Sequence, residues 1–321
     1  MSDFVDLMKR GGNQAIRINP PTGADFHITN RGSDWLFSAF CVFMFFALLL
    51  IALMFRKPVT ERKYYYTAIA PMFFMSIAYF TMASNLGWTP IRAEFNHVRT
   101  STQVEHPGYR QIFYARYIGW FLAFPWPIIQ ASILGNTPWL HMAFNVAMVE
   151  VFVVCWLIAS LIHSTYKWGY YVFGIAGAIV CSISVMTTTN NLIKTKNDAN
   201  LRKVFIYFYS IIMFFWFTYP VAFGISEGGN VLQPDSEHIF YGILDLLMMC
   251  AVPLIFVVIS GYMGAERIEG KKSKDVEALS SPASPKIGSP STLASPKSPK
   301  SPKSPKSPKS PKSKKSKKSH K

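Results

Sequence analysis

The sequence predicts an all-α membrane protein, a bundle of seven transmembrane helices. Half of the 321 residues are apolar. Charged residues make up only 16% of the chain, against about 25% in soluble chains. The apolar residues lie in long blocks almost free of Asp, Glu, Lys and Arg; the breaks after blocks one and five are basic, the break after block six is acidic, and the break after block two sets Arg92, Arg99 and Arg110 against Glu94 and Glu105.

A bilayer core about 30 Å thick needs about 20 mostly apolar residues as a helix. The blocks that meet this are Asp34–Phe55, Tyr64–Trp88, Ile112–Leu134, Trp139–Ile162, Trp168–Asn190, Val204–Ile225 and His238–Met263. Pro71, Pro125, Pro127, Pro220 and Pro253 fall inside blocks, which transmembrane helices tolerate because neighbouring groups satisfy the freed carbonyls. Residues 1–33 hold no apolar run preceded by basic residues, so no cleaved signal is expected and the first block directs insertion. The loop after block one carries Arg56, Lys57, Arg62 and Lys63, and the loop after block five carries Lys194, Lys196, Arg202 and Lys203. The loop after block six carries Glu227, Asp235 and Glu237 without a cation. The positive-inside rule then places residues 1–33 outside and the C-terminus in the cytosol. Residues 34–264 form the transmembrane domain, and 265–321 a basic cytosolic tail.

From Glu266 onward the chain holds sixteen Lys or Arg against four Asp or Glu, so +12 of the formal +16 belongs to the tail. Its Ser-Pro-Lys repeats cannot build a core and are expected to be disordered. Nine Ser-Pro sites, Ser281, Ser284, Ser289, Ser295, Ser298, Ser301, Ser304, Ser307 and Ser310, are candidates for proline-directed phosphorylation. Each phosphate adds about −1.5 to −2 charges, enough in sum to reverse the tail and release it from anionic inner-leaflet lipids.

The body lacks a basic patch with interleaved aromatics, so nucleic acid is not an expected partner. Cys41, Cys155, Cys181 and Cys250 all fall in apolar blocks without a CxxC pair, and read as small buried hydrophobes. No metal set and no nucleophile–base pair can be assembled, which argues against an enzyme. His141 and His163 read as interfacial; His97 and His106 lie in an outer loop, where pH sensing is the alternative to a solvated surface.

Arg116, Glu150 and Asp245 stand within or at the edge of apolar blocks, where a charge costs about 2.5–3.5 kcal/mol on insertion scales. Glu150 lies too deep to snorkel and no partner for it can be named. Around the others the motifs Tyr79-Phe-Thr-Met-Ala83, Ala115-Arg-Tyr-Ile-Gly-Trp-Phe-Leu-Ala-Phe-Pro125, Trp216-Phe-Thr-Tyr-Pro220 and Leu244-Asp-Leu-Leu-Met-Met249 follow in order. In motif, order and spacing the chain resembles the microbial (type 1) rhodopsins over residues 34–264. Pro20-Pro-Thr-Gly-Ala-Asp-Phe-His-Ile-Thr29 and His163-Ser-Thr-Tyr-Lys-Trp-Gly169 resemble, more narrowly, the opsin-related heat-shock membrane proteins of yeasts, the Mrh and Yro type of the heat-shock protein 30 family.

The resemblance implies a retinal lysine four residues after the last aspartate, where Met249 stands. It implies a proton acceptor three residues after the arginine, where Gly119 stands, and a cytoplasmic donor at Gln130. A thioether forms no Schiff base, and neither Gly119 nor Gln130 titrates, so no covalent retinal cofactor and no light-driven pumping are expected. Retained are Tyr79, Arg116, Trp120, Trp216, Tyr219 and Asp245. Without a Schiff-base cation, Arg116 is the expected partner of Asp245, with Tyr79 and Tyr219 donating to the same carboxylate. The aromatic set is either core packing or a retained apolar ligand pocket. The family resemblance further implies a non-enzymatic stress-response role at the plasma membrane, with the plasma-membrane proton ATPase or membrane homeostasis as its target. The alternative is an ion or small-molecule transporter or channel built on an Arg116–Asp245 polar cluster. No internal repeat supports that alternative, and no Asp-Arg-Tyr or Asn-Pro-x-x-Tyr motif supports a G-protein-coupled receptor. Homo-oligomerisation is left open.

Overall fold

The computed structural model describes residues 12–269. The first eleven residues and the nine Ser-Pro sites lie outside the described residues. Seven helices are long and apolar enough to cross a membrane: α1 (Asn30–Met54), α2 (Arg62–Ala83), α3 (Tyr114–Gly135), α4 (Trp139–Leu161), α5 (Lys167–Thr195), α6 (Ala199–Gly228) and α7 (Pro234–Met263). A short antiparallel hairpin, β1 (Thr89–Arg92) and β2 (Tyr109–Ile112), links α2 to α3. Phe26 bonds into β2 through Tyr109 O and the Gln111 amide, which lays the N-terminal segment over this end of the bundle.

The helices start and stop where capping chemistry dictates, so several extend beyond their apolar blocks. Thr29 caps α1 by accepting from the Arg31 amide, and its hydroxyl and amide reach Asp235 at 2.6 and 2.8 Å, joining the starts of α1 and α7. Asp198 caps α6 through the Asn200 and Leu201 amides, a strong N-terminal signal. Pro234 opens α7 where its missing N–H costs nothing. In the other direction, α2 stops at Ala83 and not at Trp88, because Asn85 turns into the left-handed region at φ 56°.

The axial order brings α1 against α2, α4 against α5, and α7 between α1 and α2. The core is aromatic and sulfur-rich, with Trp120, Trp156, Trp216, Met72, Met75 and Met249 all fully enclosed. Three single π-turns interrupt the spans: Val185–Thr189 in α5, Gly224–Gly228 in α6 and Leu247–Ala251 in α7. The first residues of the expected disordered tail are ordered. Ala265–Glu269 form a short helix, α8, with Ile268 buried. It is held by a Lys63–Glu269 ion pair and by Lys196, which donates to Ile268 O at 2.6 Å. Partial burial pushes the Lys196 ammonium pKa down.

Pro71 shows how a span absorbs a proline. It lies inside α2 and cannot donate to the carbonyl four residues back, that of Thr67. The Gln130 side-chain amide, from α3, donates to that carbonyl at 3.1 Å. Gln130 is therefore a structural tie between α2 and α3. Gln130→Leu is expected to strip the carbonyl of its donor in a dry site and destabilise the bundle by about 1–3 kcal/mol. Gln130→Glu, whose protonated form keeps a donor, is expected to lose less. Thermal unfolding of the purified variants in detergent checks both.

Candidate functional site

Asp245 lies on α7 with no solvent exposure. Tyr79 Oη donates to its Oδ2 at 2.7 Å, while Trp120 Nε1 and Tyr219 Oη donate to Oδ1 at 2.9 and 2.7 Å. These donors come from α2, α3 and α6, so one carboxyl group cross-links four helices. All three donors are groups that Asp245 can accept from in either lone-pair direction, and both of its oxygens are satisfied.

Arg116 does not pair with Asp245 as expected. Its Nη1 lies 2.8 Å from Glu237 Oε1 and 3.2 Å from Glu227 Oε1, and its guanidinium carbon sits 4.2 Å from the centre of the Tyr241 ring. The side chain turns toward the hairpin end because two carboxylates wait there, whereas three neutral donors already saturate Asp245. The same end supplies a second cation. Arg110 on β2 pairs with Glu237 Oε2 at 2.5 Å, donates to Leu232 O at 2.9 Å and also bonds Asn230. Tyr117 closes the cluster by donating to Glu227. Two arginines and two glutamates, each at most 8% exposed, thus form one balanced network. Such a network is stable when complete and costly when one member is lost. His238 lies beside it, edge-on to Phe113 with centroids 5.0 Å apart, its Nδ1 on Pro234 O.

The chromophore region does not fit a covalently bound retinal. Met249 is fully buried within the π-turn of α7 and offers no amine. The aromatic rings that would flank a polyene touch one another instead. Trp120 meets Tyr219 edge-on at 5.3 Å and Phe124 at 5.4 Å, Phe124 meets Tyr219 at 4.9 Å, and Phe152 bridges Trp216 at 5.7 Å and Trp156 at 4.3 Å. Gly119 is a packing glycine as well as a missing acceptor. A Cβ there would stand 2.6 Å from the Cβ of Ala78, so α2 and α3 approach more closely than any side chain permits. Of the candidate residues, Tyr79, Trp120, Tyr219 and Asp245 come together, Arg116 belongs to the neighbouring cluster, and Trp216 packs a layer away with its indole N–H unpartnered.

In the sequence Glu227 and Glu237 fall in the acidic loop after block six. A signal was present: Glu237, Tyr241 and Asp245 repeat in steps of four along one helix face. Helical ends also hold lysines that the apolar blocks omit. Lys167, at the start of α5, is buried between Glu94 at 3.0 Å and Gly228 O at 3.0 Å. It binds the segment after β1 to the π-turn that presents Glu227.

The chain matches the family described as bacteriorhodopsin-like protein over residues 31–264. It is 66% identical over 269 residues to Protein YRO2 of Saccharomyces cerevisiae, covering 84% of this chain and 78% of that protein. It is 60% identical over 298 residues to Protein MRH1 of the same yeast, covering 92% of each. Its fold is similar to that of a light-driven proton pump from Leptosphaeria maculans, at 23% identity and a TM-score of 0.67, covering 74% of this chain and 97% of that one.

Proposed function

Because this chain belongs to the bacteriorhodopsin-like protein family, we propose that it works as an opsin-fold membrane protein that forms no covalent bond to retinal and pumps no protons in light. The observation that carries this reading is that Met249, fully buried, offers no amine, while Ala78 crowds Gly119 where an acceptor would stand. Rings in direct contact leave Asp245 held by three donors, and the closest point of α2 and α3 takes the place of an acceptor carboxylate. A transport path is less well supported, since Arg116 and Asp245 belong to separate networks and present no shared polar track.

On this reading the molecule is not an enzyme and acts in the stress response at the plasma membrane, with the proton ATPase or membrane homeostasis as its target. The resemblance to opsin-related heat-shock membrane proteins supports this role. Basic residues at the α1–α2 and α5–α6 turns support an outside N-terminus and a cytosolic tail on anionic lipid. The test of the core reading is expression with all-trans retinal, purification, and borohydride reduction. No visible band and no retinyl adduct are expected. Met249→Lys, at a fully buried position, is expected to give no pigment either. A fixed adduct on the unaltered chain would overturn the reading, and a strong pigment from Met249→Lys would show that the cavity is open.

A further inference from the structure

We propose that the turn between α5 and α6, with the first turns of α6, binds one anionic phospholipid. Its headgroup sits on Lys194, Arg202 and Lys203, and its acyl chain runs along Ile206 and Tyr207. The turn faces the inner leaflet in the orientation given above, and the site rests on that reading.

Two clefts meet there. One, of about 220 Å³, opens at the turn between Lys194, the left-handed Asn197 and Arg202. The other, of about 320 Å³, runs down α6 past Lys203, Ile206 and Tyr207. Both are lined by Ala199 and Arg202, so they adjoin as one groove. Tyr207 stands eight residues beyond Ala199, about 12 Å into the span, and is 72% exposed. Helical side chains lean toward the helix N-terminus, which in α6 is the end at the turn. Arg202, Lys203 and Tyr207 therefore reach back toward the level of lipid headgroups, their stems against hydrocarbon. The groove is polar where the span ends and apolar along it, the layout of an amphiphile.

Charge selects the occupant. Most other cations at this end of the bundle are engaged. Lys57 pairs with Glu61 at 3.5 Å, Lys63 with Glu269, and Arg267 with Asp198 at 3.6 Å, while Arg62 and Lys196 donate to carbonyls. Among the described residues the Arg202 and Lys203 side chains make no hydrogen bond or ion pair, and Lys194 reaches only Asn191 Oδ1 at 3.3 Å. Asp198 is the acid that lines the cleft at the turn, and it is already occupied. Its Oδ1 accepts from the Asn200 and Leu201 amides at 3.0 Å, and its Oδ2 faces Arg267. The amides at the start of α6 are thereby capped, so three free cations above hydrocarbon supply the attraction. A soluble anion leaves the apolar cleft uncovered, and a zwitterionic lipid brings its own cation to the cluster. A lipid with a net negative headgroup satisfies both ends.

The test places the full-length chain in phosphatidylcholine nanodiscs containing a phosphatidylserine with a diazirine in its acyl chain. Crosslinks are mapped by peptide mass spectrometry. They are expected to concentrate on Ile206 and Tyr207, and to be displaced by added phosphatidylserine but not by phosphatidylcholine or soluble glycerophosphoserine. Arg202→Gln with Lys203→Gln is expected to weaken binding on the order of thirtyfold, about a factor of five per cation. Arg56→Gln with Lys57→Gln, the same loss of charge at the α1–α2 turn, is expected to leave the crosslinks unchanged. Ala199→Trp, which blocks the junction of the clefts, is expected to remove them; should that variant fail to melt like the parent, the two charge pairs still decide. Crosslinks spread evenly over the spans overturn the site. So do equal losses in both charge variants, or glycerophosphoserine that displaces as well as the lipid does. Nanodiscs offer the same lipids on both faces, so these results hold for either orientation. The orientation is read separately: Asn200→Cys is expected to resist a membrane-impermeant thiol reagent in intact cells, and labelling there would reverse the topology while the site stands.

Discussion

In a double-mutant cycle, Arg116→Gln and Glu237→Gln are expected to be strongly coupled, each single change costing about 3–5 kcal/mol and the double change much less than their sum. Glu237 stands between Arg110 and Arg116, one carboxylate oxygen toward each. Removing its charge leaves two enclosed guanidinium groups sharing Glu227 alone. Removing Arg116 instead leaves Glu227 and Glu237 facing each other with Arg110 at one side. Either loss is the expensive kind, an uncompensated charge with no water to receive it. The companion cycle, Arg116→Gln with Asp245→Asn, is expected to show a much smaller coupling, because the two residues share no hydrogen-bond partner and act on each other through charge alone. Denaturant unfolding of the five variants and parent in one detergent reads both cycles. Coupling to Asp245 without coupling to Glu237 would mean that Arg116 swings to the opposite network in solution.

The second large effect is at Gly119. Gly119→Ala is expected to cost about 1–3 kcal/mol, since the new methyl must displace Ala78 and with it the line of contact between α2 and α3. Gly119→Asp is expected to cost more and to lower the yield of folded protein, because it adds a carboxyl without a donor to the same crowded site. The comparison matters for any attempt to rebuild a pump in this fold. An acceptor cannot simply be written back at Gly119; Ala78 and Met75 would have to yield first. Yield and melting temperature of the two variants measure this, and an Asp variant that melts with the parent would show that α2 moves aside at little cost.

Seven spans were legible in the sequence because apolar length alone identifies them. Their ends were not, because a window of apolarity stops at the first charge while a helix stops at its cap. That difference hid Glu227 and Glu237, which α6 and α7 carry inside their helical ends. It also explains the mistaken partner of Arg116: with both glutamates in a loop, Asp245 is the one anion that the family resemblance sets facing the arginine. Two donors on Asp245, Tyr79 and Tyr219, were legible by resemblance; the third, the Trp120 indole N–H, was not, since Trp120 was expected only as part of the aromatic set. The role of Gln130 was not, since the orphaned carbonyl of Thr67 can be deduced from Pro71 but its donor comes from another helix. The hairpin was missed for a different reason. Its four-residue strands, Thr89–Arg92 and Tyr109–Ile112, are too short to show an alternating pattern.

The three π-turns have a consequence for chain length. A π-turn is how a helix houses one residue more than its regular repeat while its two halves stay in place. Deleting a residue from Leu247–Ala251 lets that segment close into an ordinary turn, with Asp245 on one side and Phe256 on the other still facing the core. The same deletion elsewhere in α7 would rotate everything beyond it by about 100° and turn buried side chains out to lipid. Val185–Thr189, Gly224–Gly228 and Leu247–Ala251 are thus the slack in the spans, the places where a deleted codon is expected to leave the bundle's geometry intact.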